Sequence, residues 1–118
     1  MARLVVKCTW GAERPEALVQ AFTVAATAAA SGVEVSMWLT GDAVFHAVPG
    51  VDDVELPHSP PLSQLRDAVL AAGTLTVCTQ CIERRDIGSH DLLDGVRIAG
   101  AAAFVAESLE ADTTALVY

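Results

Sequence analysis

Two cysteines three residues apart, Cys78 and Cys81, stand just ahead of a basic pair, Arg84 and Arg85. A cysteine does chemistry as its thiolate, which attacks electrophilic sulfur, exchanges disulfides and binds soft metals. Residues three apart at a helix start share a face, so the two sulfurs are expected to be neighbours. The flanking residues say where this happens. Gly73 is a helix stop, and residues 74–77 are a β-rich run of Thr, Leu, Thr and Val. The pattern predicts a buried strand ending at Cys78 and a short helix beginning there. Cys78 then lies at the carboxyl edge of a sheet, where open α/β folds bind their ligands. A helix N-terminus at the same point favours thiolate over thiol. Arg84 and Arg85, one to two turns further on, add stabilising positive charge.

Three chemistries use such a pair. A thioredoxin-like dithiol follows an early strand and faces a Pro-bearing loop, whereas here the pair follows the third strand and the prolines precede it. A structural zinc site needs four ligands; Cys78 and Cys81 supply two, with His90 or His58 as further candidates, and there is no second close pair. A nucleophilic or sulfur-carrying thiolate at the sheet edge fits best. In that case Cys81 either resolves an oxidised or persulfidated Cys78 or simply packs beside it. Cys8, inside the first strand, reads as a small buried hydrophobe.

The rest of the chain must position this edge. Residues 3–9 form a first strand whose continuous apolar centre suits burial on both faces of a parallel sheet. After the Trp10-Gly11 break, Pro15 opens a helix with the stripe Leu18, Phe22, Ala25 and Ala29, ended by Gly32. Residues 33–39 are a second strand; Thr40-Gly41-Asp42 is a turn, with Asp42 expected to cap a short helix through about Ala47. Residues 49–57 read as a solvated acidic loop, and Ser59-Pro60-Pro61 as the start of a helix with the stripe Leu62, Leu65, Val69 and Ala72. Beyond the cysteines come a polar connector, a very short strand near Val96, a helix over residues 98–109 with the stripe Ile98, Ala102, Val105 and Leu109, and a last strand over 113–118. Such alternation means one domain, residues 1–118, with a three-layer α/β/α, flavodoxin-like fold and a mostly parallel sheet of about five strands. Trp10, Trp38, Asp42 and His58 fall near the strand ends and are expected to line a pocket beside Cys78.

Bulk properties remove several functions. The net charge is −8, from 15 acidic and 7 basic residues, and Lys7 is the sole lysine. Binding nucleic acid or an anionic membrane needs clustered cations, so neither partner is expected. Arg3 and Lys7 bracket too short an apolar run for a signal peptide, and the Ala-rich residues 17–30 are too short to span a bilayer of about 30 Å. Three cysteines are an odd number and argue against a disulfide framework, so a cytoplasmic location is expected. The segment after the first strand carries one Thr, one Gly and then Glu13, which would repel a phosphate; no FMN or nucleotide loop is present. No cofactor and no resident metal are expected.

In order, several segments resemble the DsrE-like family, which includes the DsrE, DsrF, DsrH and Tus-type sulfur-relay subunits. The opening strand with its Trp-Gly turn and Arg14-Pro15-Glu16-Ala17 is similar to the family's first strand and helix entry. Residues 35–44 resemble its second strand running into a Thr-Gly-acid-Ala-Val turn, and residues 110–118 its last strand. Val77-Cys78 followed by Arg84-Arg85-Asp86-Ile87 resembles its Val-Cys-(five residues)-Arg-Arg-Gly-aliphatic segment, with Asp86 in place of the usual Gly. The resemblance implies a flavodoxin-like layer, a homotrimer or homohexamer, and a persulfide on Cys78 that passes to other sulfur-relay proteins. Read with the residues, it predicts a sulfurtransferase-like sulfur carrier with Cys78 and Cys81 as reacting thiols and Arg84 and Arg85 stabilising the thiolate. The alternative is a non-enzymatic oligomeric module binding a ligand or partner segment between Trp10, Trp38 and Cys78, with structural zinc third.

Overall fold

Along β1 (Arg3–Cys8) the side chains alternate between two environments. Val6 and Cys8 are fully buried among Val35, Met37 and Leu39 of β2 (Glu34–Leu39) and Leu75 and Val77 of β3 (Thr74–Cys78). Helices α1 (Pro15–Ala30) and α2 (Leu62–Ala72) close this face with Leu18, Phe22, Ala25, Leu62, Leu65 and Val69. Each fully buried apolar side chain of this size stabilises the fold by about 1.5–3 kcal/mol, so this face carries most of the folding energy.

The structure, a computed structural model, describes residues 2–118. With β4 (Arg97–Ala99) and β5 (Thr113–Val117), the strands form one five-stranded sheet in the order β4-β3-β2-β1-β5. Every neighbouring pair is parallel. The short α3 (Thr79–Glu83) follows β3 directly, and α4 (Ala101–Ser108) joins β4 to β5. The chain steps from β1 to β4 in one direction and then crosses back beyond β1. Right-handed crossovers therefore put α4 on the opposite face from α1 and α2. The result is the expected flavodoxin-like α/β/α fold.

The second face is polar where the first is oily. Pairing aligns Lys7, Trp38, Thr76 and Arg97 in one row across it. Glu107 of α4 points down onto this row and is only 6% exposed. Its Oε1 accepts from Ser36 Oγ at 2.5 Å and Trp38 Nε1 at 3.2 Å, and its Oε2 pairs with the Arg97 guanidinium. Arg97 Nε also donates to Thr76 Oγ1 at 2.9 Å. Phe104 stacks edge-on against Trp38 with ring centroids 5.4 Å apart. A buried carboxylate without partners would be costly; with four donors, Ser36, Trp38, Arg97 and, at 3.4 Å, Arg3 Nη2, it clamps α4 to the sheet.

This clamp corrects the expected α4. Ile98 belongs to β4, Gly100 precedes the helix, and the helix runs from Ala101. Its predicted apolar stripe faces outward, with Val105 52% and Leu109 80% exposed, because the sheet face beneath presents Ser36, Thr76 and Arg97. Two caps also differ. Asp42 does not cap the 3-10 helix Gly41–Ala47; Thr40 stands at its N-cap position. The start of α2 is held not by Ser59, whose Oγ bonds Pro60 O, but by Asp53. Asp53 accepts from the Ser63 N–H at 2.9 Å and from Ser63 Oγ at 2.5 Å. The loop carboxylate is exposed, as expected, and is also a structural tie.

Burial pushes the Glu107 pKa up, but the hydrogen bonds from Ser36, Arg97 and Trp38 and the Arg97 charge outweigh it and hold the group below the usual carboxylate range. Stability from a depressed carboxyl is present above the unfolded pKa and is lost as pH falls through the folded one. Glu107→Gln leaves Arg97 without its anionic partner and is expected to cost about 1–3 kcal/mol at neutral pH. That deficit shrinks in acid, where the parent carboxylate is also neutral. Urea unfolding at neutral and acid pH checks this, and a deficit unchanged by pH would refute the role of the charge.

Candidate active site at the carboxyl edge of the sheet

Three chain reversals meet where β1, β2 and β3 end. Gly41 adopts φ 56°, and a Cβ there would lie 2.9 Å from Thr9 O. A Cβ on Gly11 would lie 2.8 Å from Cβ and O of Asp42. Only glycine allows backbones this close, so the turns after β1 and β2 lock together. The third reversal, α3, packs against the 3-10 helix that follows Gly41. The Gly41 N–H donates to the Cys81 sulfur at 3.3 Å. Arg85 reaches back from the end of α3: Nε and Nη2 each lie 2.9 Å from Asp42 Oδ1, and Nη1 donates to Cys81 O at 3.0 Å.

Cys78 stands at the N-cap position of α3 and is half-buried, whereas Cys81 is buried. Each thiol shifts the ionisation of the other. Burial pushes the Cys78 thiol up, yet the Cys81 and Gln80 N–H groups, the Cys81 thiol and the Arg84 charge together bring it below its ordinary value. Cys81 shifts the opposite way: burial, the neighbouring Cys78 sulfur and its charge raise its pKa, against the Gly41 N–H and Arg85. One thiol is poised to ionise while its neighbour keeps its proton. Cys8 is sealed in the core, its Sγ donates to Trp10 O at 3.3 Å, and burial raises its pKa.

In front of Cys78 lies a cavity of about 60 Å³ walled by Lys7, Trp38, Thr40, Ala101 and Phe104. The Lys7 ammonium sits 5.0 Å from the centre of the Phe104 ring. Of the expected pocket residues, Trp38 lies here. Trp10 does not; it is 38% exposed and stacks under Arg14 at 4.7 Å. His58 lines a separate cavity with Glu16, Val19 and Gln20 of α1. Asp42 is engaged by Arg85. The arginine pair divides its work: Arg84 is exposed and lends its charge to Cys78, while Arg85 braces Asp42 and Cys81. Among the described residues, no cluster of three or more His, Cys, Asp or Glu side chains is placed to hold a metal ion.

Sequence reasoning missed Lys7, Thr40, Ala101, Phe104 and the Gly41 donor. Strand alternation does put Lys7 on the Trp38 face, but only the strand order and the side chosen by α4 bring these residues to Cys78. Asp86 behaves as its position requires. It takes φ 53° and ends α3 in a Schellman turn. Its N–H donates to Glu83 O at 3.2 Å, and that of Ile87 to Ile82 O at 3.0 Å. Asp tolerates this left-handed geometry better than most residues.

Fold and edge together define a flavodoxin-like α/β protein with a paired thiol at the end of its third strand. The model of the DsrE/DsrF-like family matches residues 3–114, and the chain belongs to that family. It is 29% identical over 108 residues to the uncharacterised protein MJ0989 of Methanocaldococcus jannaschii, covering 89% of this chain and 90% of that one. Among solved structures, the ychN protein of E. coli superposes with a TM-score of 0.83 at 21% identity over 100% of both chains. The protein MTH1491 of Methanobacterium thermoautotrophicum, whose function is unknown, gives 0.71 at 11% identity, again over 100% of both chains. These likenesses fix the fold.

Under limiting iodoacetamide, Cys78 is expected to alkylate first, with a pH midpoint below the ordinary thiol value of about 8.5. Cys81 and Cys8 lag. Arg84→Ala raises the Cys78 midpoint, whereas Arg85→Ala acts chiefly on Cys81. Peptide mapping of the labelled chain checks this; equal labelling of all three cysteines would contradict it.

Proposed function

We propose that this chain is a sulfane-sulfur carrier that holds its cargo as a persulfide on Cys78. The observation that carries the reading is the setting of Cys78: half-buried, shifted toward thiolate, and facing a cavity of about 60 Å³. Small-molecule sites are usually about 300–1,000 Å³. This one suits a sulfur atom at the end of a side chain and is too small for an organic ligand of metabolite size, which favours the carrier over the ligand-binding alternative. Membership of the DsrE/DsrF-like family supports sulfur relay in particular.

The transfer needs no cofactor. The Cys78 thiolate attacks the outer sulfur of a donor persulfide R–S–SH. A new S–S bond forms at Cys78, the donor S–S bond breaks, and R–S⁻ leaves with its electron pair. The reverse step, with an acceptor thiolate attacking the outer sulfur, delivers the cargo. Arg84 favours the anionic forms of both Cys78 and its persulfide, and Lys7 lies across the same cavity.

The carrier works as a homotrimer or homohexamer and exchanges sulfur with other sulfur-relay proteins in the cytoplasm. Exposed Val105 on α4, Leu109 just beyond it and Val117 on β5 support self-association, since exposed apolar surface marks interfaces. The charge of −8 disfavours nucleic acid and anionic membranes as partners. No helix among the described residues is long and apolar enough to cross a membrane.

Brief exposure to a low-molecular-weight alkyl persulfide, followed by alkylation and peptide mass mapping, is expected to add one sulfur atom at Cys78 and none at Cys8. A chain whose Cys78 peptide gains no sulfur, in the parent and in Cys81→Ser alike, rules the proposal out.

A further inference from the structure

Cys81 is more than a packing neighbour. Of the three cysteines, Cys8 is fully buried and donates its proton to Trp10 O, so only Cys81 is placed to meet a sulfur carried on Cys78. Cys81 is held from two sides, by the Gly41 N–H on its sulfur at 3.3 Å and by Arg85 on its carbonyl at 3.0 Å. Because Gly41 donates to the Cys81 sulfur, the Cys81 proton is free to point at Cys78. Exposure is graded as well: Cys78 opens to the outside, while Cys81 lies behind it at 7% exposed. A donor therefore reaches Cys78 only, and Cys81 sees what Cys78 has received.

Resting on the carrier reading, we infer that Cys81 resolves the Cys78 persulfide, so that the site reduces sulfane sulfur and releases it as sulfide when no acceptor thiol takes it. The Cys81 sulfur attacks the inner sulfur of Cys78–S–SH. The Cys78–Cys81 disulfide forms, the bond to the outer sulfur breaks, and that sulfur leaves as HS⁻ with the bonding pair. The Cys81 proton is released in the same step, to the departing sulfide or to solvent. The two cysteine sulfurs together supply the two electrons that reduce the sulfane sulfur. Turnover requires a dithiol reductant, which is oxidised to its own disulfide as it restores both thiols. Thiol–disulfide exchange of this kind depends on access and on which sulfur is attacked, and the stacked order of the two cysteines fixes both. The Gly41 N–H also stabilises the negative charge that develops on the Cys81 sulfur as its proton leaves.

The test uses the full chain and an alkyl persulfide, whose transfer to Cys78 liberates a thiol and no sulfide. Sulfide then reports the second step. The parent is expected to release sulfide close to one equivalent per chain and to end as a Cys78–Cys81 disulfide, seen in non-reducing peptide maps. Cys81→Ser retains the Cys78 persulfide and releases sulfide at least roughly tenfold more slowly. Cys81→Ala, with its fold checked by circular dichroism, serves if the serine chain unfolds. Cys78→Ser sets the spontaneous background. If the parent holds its persulfide as long as Cys81→Ser and forms no disulfide, the inference is overturned while the carrier reading stands. If no variant gains sulfur at Cys78, both fall.

Discussion

The close approach of two backbones at Gly11 and Gly41 is the constraint on which the site depends. Neither position has room for a Cβ. Their contact fixes the turn after β2, and that turn supplies both the N–H on the Cys81 sulfur and the carboxylate that holds Arg85. The opposing shifts of the two thiols come instead from burial, from the N–H groups at the start of α3 and from each other. Burial and the neighbouring Cys78 sulfur keep Cys81 protonated against the pull of the Gly41 N–H; Cys78, with a proton donor behind it and Arg84 near it, tends toward the anion.

The two faces of the sheet divide the labour. The oily face against α1 and α2 supplies stability. The other face is organised by polar contacts, with Glu107 clamping α4 over Trp38. This clamp sets Phe104 and Ala101 against the end of β3 and so determines the size of the space in front of Cys78. The α4 residues that face away are apolar.

Much of this was legible in the residues. Strand runs, the Pro15 helix entry, the α1 and α2 stripes and the strand ending at Cys78 all rest on local patterns, and each lies within a residue or two of its expected place. The family could be read because its motifs survive in order. What escaped depends on contacts between distant segments. The 3.6-residue pattern of α4 looked like a buried stripe, but nothing local says that the sheet face below is polar and wants Glu107. His58 and Trp10 sit near strand ends in sequence, yet the turns carry them to other surfaces. Asp53 is exposed as expected, but its tie to Ser63 was not legible because the partner lies ten residues on. Lys7 looked like an ordinary flanking cation until the order of the strands set it on the Cys78 face.

The central claim is that sulfane sulfur resides on Cys78 and nowhere else. Cold cyanide removes sulfane sulfur from persulfides as thiocyanate and leaves thiols and sulfide untouched. The direct measurement is thiocyanate yield from donor-loaded, desalted Cys81→Ser chain, in which the carried sulfur is not resolved. The account predicts close to one equivalent per chain, unchanged by adding Cys8→Ser and abolished by adding Cys78→Ser. Thiocyanate that survives the loss of Cys78, or none from the loaded chain at all, would contradict it.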